Sequence, residues 1–261
     1  MISPAYTRIL LTGEVDSGKT YSLLSFPGRK VVQFYPGEGG IATLGEDTAE
    51  VQRVFPTPTK VSVEPDSMQI ITDVRKQTAD ILLGKHGECT TFCGDGLDKL
   101  HEYVLDALSG GAYFAGEAVK DAKDEGLSAL VIARAEHWTF SYLNLVLGSQ
   151  VPYAVFTCWD KDKGVRKAMA GEHWSKVPMQ KYPNFYGGIA RNILGKFGVK
   201  LHASRGKLKE TDQVKSYRWL TQSTSTVACA GIKGDPGMVA KIPKYIEAKW
   251  SVLESYLTKS A

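Results

Sequence analysis

The first half of the chain alternates short apolar runs with stretches whose apolar residues recur at helical spacing. That pattern predicts βαβ units and a parallel sheet. Arg8 to Thr12 reads as a buried strand, and Lys19 to Ser25 as a short helix stopped by Pro27-Gly28. Lys30 to Tyr35 is a second strand, closed by Pro36-Gly37, and Thr59 to Val63 a third, shorter one. Pro65 opens a helix, as proline does at a first helical position, with Met68, Ile71, Val74 and Ile81 on its apolar face. Cys89 to Cys93 is the next strand. Leu97, Leu100, Val104 and Leu108 then mark a helix ended by Gly110-Gly111.

The second half is less regular. Residues 112–126 are charged and contain glycine, which predicts an insertion. Leu127 to Leu147 is a long apolar-rich helical stretch, and Val151 to Cys158 another strand. From Trp159 to Asn184 the pattern breaks into a charged, aromatic loop. Phe197 to Ala203 and Ser216 to Thr221 predict two antiparallel strands, with Thr226 to Ile232 a third. Ile246, Trp250, Leu253 and Leu257 form one face of a C-terminal helix. The expectation is an α/β domain over residues 1–236, its mainly parallel sheet extended by antiparallel strands, and a helical extension over 237–261.

Composition narrows the class. At 261 residues, 43% hydrophobic and 10% aromatic, the chain can bury a core and is not of disordered type. No run of about 18 apolar residues predicts a membrane span, and the N-terminus lacks the pattern of a secretory signal. Cys89, Cys93, Cys158 and Cys229 read as free thiols of a cytoplasmic protein, since no second Cys or His pair completes a zinc site. The net charge of +4 permits nucleic acid without arguing for it.

The strongest chemical signal is Gly13-Glu14-Val15-Asp16-Ser17-Gly18-Lys19-Thr20, a full match to G-x-x-x-x-G-K-[ST]. It follows a predicted buried strand and opens a predicted helix, the context that gives the motif meaning. Its backbone N–H groups would cradle phosphate, helped by the positive end of the following helix. Lys19 would reach the β and γ phosphates, and the Thr20 hydroxyl would meet Mg²⁺. The nucleotide-binding segment is taken to run from Gly13 through Tyr21.

A second metal-side group is expected at the end of a neighbouring strand. Asp95 closes Thr90-Thr91-Phe92-Cys93-Gly94-Asp95, with Asp98 one helical turn on as the alternative. Asp95 could also simply cap the helix that begins near Leu97. Hydrolysis further needs a group to orient the attacking water. Glu38, in Tyr35-Pro36-Gly37-Glu38-Gly39-Gly40, can serve or can be a solvated turn residue.

Taken together, the order of motifs resembles the RecA-like ATPases, particularly phage-encoded ATP-binding proteins related to Sak-type single-strand annealing proteins. Ser25-Phe26-Pro27 after the P-loop helix, Glu38-Gly39-Gly40 after the second strand, the Asp95 strand and Val155-Phe156-Thr157 all fall in family order. The sensor segment departs from it, with Thr157-Cys158-Trp159 where the family often has Thr-x-His. The resemblance implies that Glu38 is the catalytic glutamate and Thr157 a polar sensor. It also implies an oligomer, ring or filament, with ATP between subunits and a late basic residue reaching the neighbour's ATP. Lys233 is the candidate for that role and Arg218 the second.

Single-stranded DNA is the implied partner. Residues 161–181 carry six basic residues against Asp162 and Glu172, a surplus as large as the +4 of the whole chain. Trp159, Trp174, Tyr182, Phe185 and Tyr186 lie in or beside this segment, and basic residues interleaved with aromatics suit single strands. A solvated loop anchored by its aromatics is the plainer alternative. The function expected is a Mg-ATP-dependent ATPase acting on single-stranded DNA in phage recombination or replication, within the host cytoplasm. Two other classes stay open: a nucleotide-gated assembly protein without DNA contact, and a small-molecule kinase. The kinase is disfavoured because Arg166 is the lone arginine of residues 159–181, where a lid would carry several.

Overall fold

A computed structural model describes residues 6–35, 43–55, 66–115, 127–163, 167–170, 173–176, 180–185, 189–208 and 216–258, with backbone alone within 162–180. Strand β1 (Thr7–Gly13) is buried almost throughout. After it come helix α1 (Lys19–Leu23), β2 (Lys30–Phe34), β3 (Val51–Val54), α2 (Ser67–Leu82), β4 (Thr91–Asp95), α3 (Leu97–Ser109) and α4 (Ala129–Leu147). The second half contributes β5 (Tyr153–Lys163), β6 (Lys167–Ala170), β7 (His173–Lys176), β8 (Gln180–Pro183), α5 (Ile189–Lys196) and β9 (Val199–Gly206). The chain then forms β10 (Ser216–Leu220), β11 (Gly231–Ile232), α6 (Pro236–Val239), β12 (Tyr245–Glu247) and α7 (Trp250–Thr258).

The main sheet runs in the order β12-β10-β9-β1-β5-β4-β2-β3. Its members from β9 to β3 are parallel, whereas β10 and β12 add on antiparallel. This is an α/β fold with a mostly parallel central sheet and a short C-terminal helix. Strand β1 lies inside it, between β5 and β9, so its apolar side chains are buried on both faces. Alternation along the strand divides them. Leu10 joins Val31, Phe92 and Phe156 under α2, α3, α4 and α5. Ile9 and Leu11 join Val32, Val155 and Leu201 on the opposite face, which α1 and α7 cover. Among the described residues, no helix is long and apolar enough to cross a membrane.

Polar anchors fix where the helices sit. Asp66 caps α2 by accepting from the N–H groups of Met68 at 2.9 Å and Gln69 at 3.3 Å. Arg8 ties the end of α4 to the start of β5, donating to the carbonyls of Leu147 at 2.9 Å, Ser149 at 2.8 Å and Val151 at 2.8 Å. Gln33 on β2 is wholly buried, yet it donates to the Val74 carbonyl and accepts from the Thr78 and Tyr142 hydroxyls.

Several expectations change in three dimensions. Strand β9 is antiparallel to β10 but parallel to β1, with Val199 opposite Ile9. It therefore closes the parallel part of the sheet, and the expected antiparallel extension begins at β10. Of Thr226 to Ile232, the ladder takes Gly231–Ile232, paired with the start of β9. The expected loop from Trp159 onward is largely strand. β5 continues to Lys163 and pairs with β8, while β6 and β7 form a hairpin of their own. Within the segment expected as a helical extension, β12 pairs with β10 and the indole of Trp250 packs 5.3 Å from the ring of Phe26. The expected strand Thr59 to Val63, the helix start at Pro65 and residues 116–126 of the insertion lie outside the described residues.

Candidate phosphate and metal site

The P-loop emerges from the C-terminal end of β1, where parallel strands leave a crevice for ligands. Two glycines make its path possible. Gly13 has φ +155°, and a Cβ there would sit 2.6 Å from both the Ala203 carbonyl oxygen and the Ser17 hydroxyl. Gly18 has φ +84° and lies against Tyr217, whose ring a Cβ would approach to 2.5 Å. Asp16 also takes a left-handed conformation, at φ 58°, which short polar side chains tolerate. With five residues, α1 has a small macrodipole. A phosphate placed here would depend chiefly on the loop N–H groups and on Lys19.

Lys19 is buried, and its Nζ donates to the carbonyls of Gly13 at 2.8 Å and Glu14 at 2.7 Å. The ammonium thus spans the loop it would serve. The Ser17 hydroxyl is buried without a hydrogen-bond partner. Such an orphan in a tightly wound loop fits a site that takes an anionic oxygen.

Thr20 donates to Asp95, whose Oδ2 lies 3.0 Å away and Oδ1 3.3 Å. The Thr157 hydroxyl donates to Asp95 Oδ1 at 2.5 Å and accepts from the Gly96 N–H at 2.8 Å. Strand β5, which carries Thr157, lies between β1 and β4 and so reaches both the loop and the acid. Burial, the largest influence, raises the Asp95 carboxyl above its usual range, against the hydrogen bonds from Thr157 and Thr20 and the charge of Lys19. A divalent cation between Thr20 and Asp95 would favour the ionised form. A hydroxyl and a carboxylate with water and phosphate oxygens suit Mg²⁺, which seldom uses an all-protein cage. Among the described residues, no cluster of three or more His, Cys, Asp or Glu could hold a metal.

Asp95 and Asp98 differ in their partners. Asp98 accepts from the Trp159 N–H at 3.1 Å and from the Asn184 amide at 3.5 Å, whereas Asp95 accepts from Thr20 and Thr157. Asp98 holds β5 at Trp159, the last residue that this strand pairs with β1. Burial foremost raises its carboxyl to about 6, with the backbone hydrogen bonds opposing.

Other groups at this end of the sheet carry no sequence motif. Asp160 Oδ2 lies 2.6 Å from His202 Nε2 and 3.9 Å from Lys181 Nζ, and Lys181 also pairs with Glu14 of the P-loop. Burial pushes the Asp160 carboxyl up, but His202, Lys181 and Lys19 outweigh it and hold the group below its usual value. Residues far apart in sequence meet here through the ladder, which sets Thr12 beside His202 and Gly13 beside Trp159.

Lys233 is not brought to the P-loop of its own chain. It follows β11, which pairs with Val199 and Lys200 at the start of β9, and its Nζ donates to the Gly195 carbonyl at 2.6 Å. The loop lies at the opposite end of the parallel strands. Arg218 is at the loop end, on β10, with its guanidinium 4.0 Å over the Tyr245 ring and its Nε donating to Ser204. Glu38 lies outside the described residues. The last described residue before it, Tyr35, donates its N–H to the Asp95 carbonyl at 3.1 Å.

No family model matches the chain, and no curated protein sequence matches it. Among solved structures, it is similar to a prototypical ATPase from the type III secretion system of pathogenic bacteria, at 12% identity and a TM-score of 0.40. The match covers 75% of this chain and 50% of that one, so the chain spans about half the length of that neighbour.

Proposed function

We propose that the protein is a Mg-ATP-dependent ATPase of RecA-like type. The observation that carries this reading is the Thr20–Asp95–Thr157 cluster set beside a P-loop whose lysine spans its own backbone. On binding a triphosphate, Lys19 would exchange the carbonyls of Gly13 and Glu14 for phosphate oxygens, a stronger charge-assisted pairing. Thr20 and Asp95 would hold Mg²⁺, which when bound neutralises charge across the β and γ phosphates. Thr157 positions the Asp95 carboxylate. Glu38 is proposed to take a proton from water as the water oxygen attacks the γ phosphorus. The bond to the β–γ bridging oxygen then breaks, leaving ADP and phosphate.

The assembly proposed is a homo-oligomer, ring or filament, with Lys233 of one subunit serving the site of its neighbour. Its place at the far end of the sheet speaks against action within its own chain. Glu38→Gln tests the hydrolytic reading. Mg-ATP affinity should stay within about twofold while turnover falls by roughly 100-fold or more, because a general base is lost and the cradle is kept. Normal turnover in that variant would remove Glu38 from the mechanism.

Single-stranded DNA is proposed as the macromolecular partner, on the basic surplus of residues 161–181 and on the resemblance in motif order. The backbone path supports it, since β5 and β8 carry this segment outward from the P-loop end of the sheet. Replacing Lys163, Arg166 and Lys167 with Ala should lower the log-log salt slope of single-strand binding by up to about 2 units. Equal slopes, or no binding by the wild type with ATP present, would favour a nucleotide-gated assembly protein without DNA contact.

A further inference from the structure

An open cavity of about 550 Å³ lies beside the P-loop, between α1 and the C-terminal segment. Tyr21, Leu24 and Ser25 form one wall, and Tyr217, Lys249 and Ser251 line the other. Its size falls within the range of small-molecule sites.

The geometry at its mouth relates it to the phosphate cradle. The Tyr217 ring lies so close to Gly18, the P-loop glycine just before Lys19, that a Cβ there would meet it at 2.5 Å. Tyr21 directly follows Thr20, and its side chain is 52% exposed although its neighbour Ser22 is buried. The two tyrosine rings have centroids 5.9 Å apart and are tilted by 35°. The Arg205 guanidinium lies 5.4 Å from the centre of the Tyr217 ring. Two aromatic faces therefore stand where a chain of phosphates would leave the loop.

We propose that this cavity receives the base of a nucleoside triphosphate, stacked on Tyr21 and Tyr217, and that it favours purines. The proposal rests on the reading of the P-loop as a triphosphate site. Lys19, Thr20 and Asp95 fix the distal phosphates and the metal, so the nucleoside must leave on the side of the residue after Thr20. Stacking tolerates any base but grows with ring area, which favours a purine. The Ser216 hydroxyl, buried and without a hydrogen-bond partner on the cavity wall, offers a polar contact to the base or ribose. Glu247 and Lys249, paired at 2.5 Å across the rim, offer an acceptor and a donor to the base edge.

The test separates the base from the phosphates. Equilibrium binding of ATP, CTP and inorganic tripolyphosphate, each with Mg²⁺, is measured for the wild type, Tyr21→Ala and Ser251→Trp. The wild type should bind ATP more tightly than CTP, and both more tightly than tripolyphosphate. Tyr21→Ala should weaken ATP roughly ten- to hundredfold, the loss expected for one stacked base, and leave tripolyphosphate unchanged. Ser251→Trp, at an exposed position on α7, should fill the cavity and produce the same selective loss. Unchanged ATP affinity in both variants would overturn the proposal, as would equal loss of ATP and tripolyphosphate. Wild-type protein that binds tripolyphosphate but gains nothing from the nucleoside would overturn the subsite alone. Failure to bind either ligand would overturn the P-loop reading and the subsite with it.

Discussion

Asp95 and Asp98 lie within one helical turn, are equally buried, and have different work. Asp95 is held by two threonine hydroxyls, that of Thr20 at the start of α1 in the P-loop segment and that of Thr157 on β5. Asp98 receives the N–H of Trp159 and anchors β5 where its pairing with β1 ends. Its carboxyl is raised from 3.8 to about 6, so between those values the folded chain holds a proton that the unfolded chain releases. Its contribution to stability is therefore fully present below the unfolded value and is lost as pH rises from about 4 to about 6. Asp98→Asn keeps an acceptor for Trp159 and cannot ionise. Its stability relative to the wild type should improve by about 1–3 kcal/mol across that window and stay level above it. Urea unfolding of both proteins at four pH values between 4 and 7 measures this, and a pH-independent difference would contradict it.

At the scale of elements, Arg8 shows how one side chain sets a junction. Its guanidinium serves three carbonyls between Leu147 and Val151, where α4 ends and β5 is about to begin. Arg8→Ala would leave half-buried carbonyls without donors and should cost about 2–4 kcal/mol, seen as a lower denaturant midpoint with an unchanged slope. A loss below about 0.5 kcal/mol would mean that water replaces the guanidinium. Long elements were legible in the sequence because each has a buried face of fixed period: β1, α2, α3 and α4 fall where the pattern puts them. Strands β3 and β12, of four and three residues, are too short to show a period. The outer part of β5 escaped for another reason. Asp160-Lys161-Asp162-Lys163 pairs with β8 beyond the main sheet, where backbone hydrogen bonds form a ladder without an apolar face to mark it.

Across the whole molecule, the chemistry gathers at one end of the sheet. The P-loop, Asp95, Thr157, the Asp160–His202 pair and Tyr217 all lie at the C-terminal edge of the parallel strands, as ligand sites in open α/β sheets do. The part of this site legible in the sequence is the part made locally. Gly13 to Thr20 is one continuous segment, Asp95 closes a readable strand, and Thr157 lies near the end of the expected strand Val151 to Cys158. His202, Lys181 and Tyr217 reach the loop through strand register and bear no spacing relative to it that a sequence displays. Lys233, chosen by its late position, sits at the far end of the sheet from the loop. On the proposed reading, this end of the sheet binds and hydrolyses Mg-ATP through Lys19. Phosphate release from Mg-ATP by the wild type and by Lys19→Ala tests it most directly. Wild-type turnover with a fall of roughly 100-fold or more in the variant is the predicted result, since the triphosphate loses its principal cationic partner. Equal turnover in the two proteins would contradict the account.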